Sequence, residues 1–243
     1  MPETGPAADP LAWLSSLEGV PSGFTAARDG VDAMLRDRGM RRTTPEQTAE
    51  SLLRGAHASA VLEGSGADLD AVRNGTADEI AQAALRVSAE LLSLVPVLAR
   101  SPLQAFARLH VLAATGVVDD DRLGRPLSEV AAERMGTLAT TLLATAAPAM
   151  LVAAVSHAEL AVVEPFASHN GIVARAVERL VLVARGVDPA SLVVPEAGHL
   201  ALRREYESNL RGYRDGGQAG MHAWLLYAGE AFARGAEASP LRD

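Results

Sequence analysis

Cysteine and lysine are both absent from this 243-residue sequence, and aromatic side chains make up only 4% of it. Without cysteine, disulfides, thiol nucleophiles and thiolate-bound metals are excluded. The missing lysine leaves arginine as the only strongly basic side chain, a usage that fits a coding bias and carries no function. Hydrophobic residues reach 49%. With so few aromatics the core has to come from Ala, Leu and Val, a mixture that suits packed helices better than a β-sandwich. Positive charge is also scarce. The formal net charge is −8, nothing resembles a nucleic-acid-binding face, and no nucleic-acid partner is expected. Met1-Pro2-Glu3-Thr4 has neither the basic start nor the apolar run of a signal peptide. One uncharged run, Met135 to Ser156, has the length of a membrane span. Its threonines and Pro148 read instead as two core helices meeting near Pro148. The expectation is a cytoplasmic protein with no membrane segment.

Helical periodicity dominates what is present. Leu11 to Leu17 reads as a short helix ended by Gly19 and Pro21. Phe24 to Arg38 reads as a second, with Val31, Met34 and Leu35 on one face and Gly39 as its stop. Thr44-Pro45-Glu46-Gln47 combines a capping box with a first-turn proline, and its helix runs through Leu52, Leu53, Ala56, Ala60 and Val61 to Gly64. Thr76-Ala77-Asp78-Glu79 repeats the box and opens a helix that Pro96 kinks or ends; Ser101-Pro102-Leu103-Gln104 opens a third, running to Gly116. After a polar turn over 117–126 that holds Asp119, Asp120 and Asp121, helices are expected at 127–145, 148–162, 171–185, 196–213 and 219–235. The predicted fold class is all-α. The aspartate run reads as a solvated turn, and Trp13, Trp224 and Tyr227 as core or interface residues. Six histidines, at 57, 110, 157, 169, 199 and 222, form no His-x-x-x-His pair, so no metal site is expected.

The segment from Glu164 to Arg175, EPFASHNGIVAR, carries the chemistry. A helix ends near Val163, Pro165 forbids its continuation, and Asn170 and Gly171 begin the next helix, with Asn170 as its cap. A helix N-terminus presents unpaired N–H groups and partial positive charge, which suits a phosphate, and Arg175 lies one turn further on. The segment resembles the Fic signature, His-x-Phe-x-(Asp/Glu)-Gly-Asn-Gly-Arg-x-x-Arg. Phe166, Asn170, Gly171 and Arg175 match, and Pro165 is a residue Fic proteins often carry. The resemblance implies a Fic (Fido-fold) helical bundle and transfer of AMP, or a related phosphate-bearing group, to a hydroxyl, with ATP or another nucleotide and Mg²⁺ as cofactors.

Four positions depart from that pattern. Glu164 stands where the resemblance implies the general-base histidine, and a free carboxylate is a weaker base by about two pKa units. Ser168 replaces the acidic Mg²⁺ ligand with a neutral oxygen. His169 brings a Cβ where the cradle has a glycine, and Ile172 removes the first arginine. Upstream, Ser59-Ala60-Val61-Leu62-Glu63-Gly64 resembles the Fic inhibitory motif, (Ser/Thr)-x-x-x-Glu-(Gly/Asn), and Leu69-Asp70-Ala71-Val72 resembles the short helix that follows it. The resemblance implies an ion pair between Glu63 and the second signature arginine, Arg175. Leu109-His110 resembles a Leu-His pair of the Fic core, and Gly124-Arg125 a turn of its flap.

The organisation expected is an N-terminal extension of short helices over 1–43, a region carrying the inhibitory-like motif over 44–100, a Fic-like core over 101–235 and a tail over 236–243. The favoured functional reading is a Fic-fold protein without efficient AMP transfer. It binds a nucleotide or phosphorylated ligand through Ser168, His169, Asn170, Gly171 and Arg175, is restrained by Ser59, Glu63 and Gly64, and acts through a protein partner. The second is a working transferase with Glu164 or His169 as base, although His169 reads by default as a solvated loop residue. The third is a structural or interaction module, a homodimer through apolar helical faces.

Overall fold

The computed structural model describes residues 9–37 and 43–242, and among these it is helical with no β-strand. A 3-10 turn, Ala12–Ser16, leads into α1, Val20–Asp37. Pro21, expected to end the preceding helix, is instead the second residue of α1, where its missing N–H costs nothing. The Gly39 stop lies outside the described residues. Helix α2, Pro45–Leu62, begins with the expected capping box: Gln47 N–H donates to Thr44 Oγ1 at 3.3 Å and Thr44 N–H to Gln47 Oε1 at 3.0 Å.

Two expected caps are corrected. After the short α3, Leu69–Arg73, helix α4, Glu79–Glu90, is capped by Asp78 rather than Thr76. The Asp78 carboxylate accepts from Ala81 N–H at 3.0 Å and from Ser65 Oγ at 2.7 Å, so it serves the helix and the preceding loop together. A 3-10 turn over Leu91–Leu94 separates α4 from α5, Val95–Leu98, so the break tied to Pro96 comes one turn earlier. Ser101 makes no side-chain cap to α6, Pro102–Ala114. By composition the run Glu79–Leu98 is long and apolar enough to cross a membrane, but its Ala81, Ala84, Val87, Leu91, Leu94 and Leu98 are buried in the core. The uncharged run of 135–156 divides as expected, into α7, Glu129–Ala144, and α8, Ala149–Val163. Next come α9, Asn170–Ala184, then α10, Pro195–Ala201, α11, Arg203–Asp215, and α12, Gly217–Glu237. The single helix expected over 196–213 is thus two, broken at Leu202.

Helices α8 and α9 pack most extensively and form the centre. Helix α8 is buried on nearly every side, as an all-apolar helix must be. Helix α9 is buried without a break from Ile172 to Leu182, yet carries Arg175, Glu178 and Arg179 within that stretch. Spacings of three and four put these charges on one face, so each needs a partner from a facing helix. Arg179 donates to Glu196 Oε2 at 2.9 Å and to Ser191 Oγ at 2.8 Å, and also to Ser51 Oγ, which ties α9 to α10 and α2. Helix α10 lies so close to α12 that a Cβ on Gly198 would overlap the carbonyl of Ala231, while Val194 N–H donates to Gly235 O at 3.0 Å.

Gly198→Ala is therefore expected to destabilise the fold by about 2 kcal/mol, although alanine favours a helix by about 1 kcal/mol. Urea unfolding measures the difference; a variant as stable as the parent would mean that α10 has room to move.

Candidate functional site

The loop between α8 and α9 is held at both ends by left-handed backbone. Glu164 has φ of 47° and His169 has φ of 54°. The position where the resemblance places a glycine thus keeps a glycine's conformation under a histidine side chain. Asn170 is not the cap of α9 that its position suggested. Its amide instead bridges both backbone groups of Phe166, with Phe166 N–H donating to Oδ1 at 2.9 Å and Nδ2 donating to Phe166 O at 2.8 Å. A loop that must turn back onto its own helix has more use for that clasp than for a cap.

Phe166 is buried and stacks on His110, with ring centroids 4.4 Å apart and planes 6° from parallel. His110 Nδ1 accepts from Gly124 N–H at 2.9 Å, so its proton sits on Nε2. Burial, aided by His169, pushes the His110 imidazole down to about 4, which leaves it neutral at pH 7. Leu127 N–H donates to Pro165 O at 2.8 Å. The two regions singled out beside the signature, His110 and the turn at Gly124, therefore meet and support the loop together.

Arg175 is the centre of the site, with 1% of its surface exposed. Its Nη2 donates to Glu63 Oε1 at 2.7 Å and to Ser59 O at 3.1 Å, its Nε to Ser59 Oγ at 2.9 Å and its Nη1 to Tyr206 Oη at 3.1 Å. The expected Glu63–Arg175 ion pair is present, and the i, i+4 spacing of Ser59 and Glu63 puts both on the face of α2 that meets α9. Gly64, with φ of 97°, turns the chain away just after Glu63. Burial alone would lower the Arg175 guanidinium, but Tyr206 and Glu63 outweigh it and raise it further. A Cβ on Gly171 would overlap Glu63 Oε1. The carboxylate therefore rests on the first turn of α9, where an anion is favoured.

A cavity of about 340 Å3 opens here. Glu63, Glu164, His169, Asn170, Gly171 and Arg175 line it, together with Tyr206, Leu210, Arg211 and Arg214. Ser168 is not on this wall; its Oγ lies 2.9 Å from His169 Nδ1. Ser59 sits behind Arg175, and Ile172 is buried in the core. Burial lowers the His169 imidazole, against the opposing effect of Glu63. Sequence reasoning missed Tyr206, Arg211 and Arg214, all on α11. Only the three-residue spacing of the two arginines marks a shared face, and nothing local says that the face meets α9.

The left-handed backbone at 169 gives a direct test. Neither His169→Gly nor His169→Ala retains the imidazole, so they differ only in backbone freedom and the methyl group. The glycine variant is expected to be the more stable, by about 1 kcal/mol. Equal thermal denaturation midpoints for the two would mean that the loop does not hold that conformation in solution.

No family model matches the sequence, and no characterised protein matches it in sequence. Solved structures do match its fold. A Fic family protein from Desulfovibrio desulfuricans G20 superposes with a TM-score of 0.74 at 18% identity, over 91% of this chain and 74% of that one. Fic-1 from C. elegans superposes with a TM-score of 0.66 at 15% identity, over 88% of this chain and 70% of that one. At such identities the likeness speaks for the fold alone. This chain has the Fic fold, built of helices throughout the compared region.

Proposed function

We propose that this chain binds a phosphate-bearing ligand, a nucleotide first among them, in the cavity at the start of α9, and that it transfers AMP poorly or not at all. The observation that carries the reading is the Glu63 carboxylate seated on Arg175 and the first turn of α9. A resident anion marks the place where an incoming phosphate would be stabilised. Arg211 and Arg214, exposed on the same wall and without an ion-pair partner among the described residues, add positive charge that the signature lost at Ile172.

The departures at 164, 168 and 172 remove the base, the metal ligand and one phosphate clamp that the family resemblance implies. General-base catalysis alone is worth about 10²–10⁴-fold, so binding outlasts turnover in this reading. Glu63 restrains the site by occupying it. Ligand entry then exchanges one anion for another on Arg175, and the guanidinium stays paired throughout.

A second reading, a transferase that uses Glu164 as base, draws on the position of that side chain, exposed on the cavity wall. Transfer of labelled nucleotide that is lost in Glu164→Ala would favour it over the first.

Titration calorimetry with ATP, with and without Mg²⁺, tests the main proposal. Glu63→Gly is expected to bind at least about tenfold more tightly than the parent, equivalent to about 1.4 kcal/mol, and Arg175→Ala to lose binding. Absence of heat and of thermal shift for both the parent and Glu63→Gly, across the common nucleotides, would overturn it.

A further inference from the structure

Beside Tyr206, which lines the cavity and also contacts Arg175, the fold brings together three side chains that the sequence keeps far apart. His157 comes from α8, Glu178 from α9 and His199 from α10, and all three are fully buried. Glu178 Oε2 lies 3.1 Å from His157 Nδ1 and 2.8 Å from His199 Nε2, and the three ligand atoms fall within 4.8 Å of one another. Two of the polar atoms here have no hydrogen-bond partner: His157 Nδ1, whose approach to Oε2 is short but off-line, and Glu178 Oε1. A native core rarely leaves two such atoms unmet side by side.

Charge points the same way. On the buried face of α9, Arg175 is paired with Glu63 and Arg179 with Glu196. Glu178 faces only imidazoles, and a buried carboxylate calls for a cation. From these observations we infer that His157, Glu178 and His199 form a binding site for a divalent transition-metal ion, zinc in the first instance. Two imidazole nitrogens and a carboxylate that chelates through both oxygens give four donors in a distorted site, and thiolate ligands are not needed. Binding the ion there would supply a partner to both unmet atoms.

The surroundings fit that use. A histidine bound to metal through one nitrogen carries its proton on the other and usually donates it to a neighbour that fixes the ring. His157 Nε2 is 3.0 Å from Tyr206 Oη, and His199 Nδ1 is 2.8 Å from Tyr227 Oη. Tyr206 then accepts from both His157 and Arg175 and directs its own hydroxyl proton to the cavity that it lines. The site is closed on all sides, with Trp224 packed against both imidazoles. A closed site of four donors holds an ion for structure rather than for turnover. It would fasten α8, α9 and α10 together beside the tyrosine of the cavity.

Elemental analysis by inductively coupled plasma mass spectrometry, on tag-free full-length protein washed with chelator, tests the site. About one zinc or other first-row ion per chain is expected, with markedly less in Glu178→Gln and His199→Gln. A second measurement does not depend on how those variants fold. The parent chain is unfolded in chelator and refolded with Co²⁺ or Zn²⁺. Co²⁺ is expected to give the visible absorption of a four-coordinate site, and either ion to raise the Tm above that of chain refolded without metal. Metal bound equally by the parent and by folded variants would overturn the site. So would a metal-free parent whose refolded Tm and visible spectrum are unchanged by both ions; Glu178 would then be a hydrogen-bonded carboxylate between two imidazoles.

Discussion

A guanidinium with almost no exposed surface is the constraint around which this chain is arranged. Burying a cation is tolerated only if its charge is met and its N–H groups are used. Arg175 satisfies both conditions by drawing on two other helices: Ser59 of α2 with Glu63 at its C-cap, and Tyr206 of α11. The consequence is mechanical as well as electrostatic. Helices α2 and α11 are far apart in sequence, and Arg175 joins them at the first turn of α9, beside the contact that Arg203 of α11 makes to Val61 O of α2. With the two joined, the cavity wall is set, because the same approach brings Arg211 and Arg214 to it.

The second buried arginine works as a companion anchor. Arg179, one turn further along α9, gathers Ser51, Ser191 and Glu196. The two arginines, one turn apart on α9, therefore pin α2 at Ser51 and Ser59, about two turns apart, which fixes its rotation as well as its distance. Gly55 on α2 makes this approach close, since a Cβ there would meet the Arg179 guanidinium and the Glu196 carboxylate. The glycines at 171 and 198 play the same part against Glu63 and Ala231. Small residues on one helix thus admit the long charged side chains, and the backbone, of another.

Much of this was legible in the sequence where the signal was local. The capping box at Thr44 and the division near Pro148 depend on residues within a few positions of one another and fell where expected, while the break tied to Pro96 came one turn earlier, at Leu91–Leu94. The Glu63–Arg175 contact was legible for a different reason, a resemblance of two short motifs to those of one family, and chain spacing alone could not have given it. What local reasoning misjudged were choices between neighbouring groups. Asp78 displaced Thr76 as a cap because its carboxylate also had Ser65 to bind. Asn170 took Phe166 instead of the helix end because the loop folds back on itself. The assembly of His157, Glu178 and His199 was illegible, since their 21-residue separations carry no helical or motif signal and only the packing of α8, α9 and α10 creates their contact.

The left-handed histidine at 169 has a bearing on how this site could change over generations. Its backbone is already that of a glycine, so replacing the side chain there asks nothing of the loop's path. Glu164 likewise stands exposed at the rim, where another side chain could be exchanged without disturbing the interior. Ile172 is different, because it is buried in the core, where a charged group would need a partner of its own. Substitution is therefore freer at the outer positions than at the inner one. Tolerance to change is graded by the packing, with position 172 as the lock on the door.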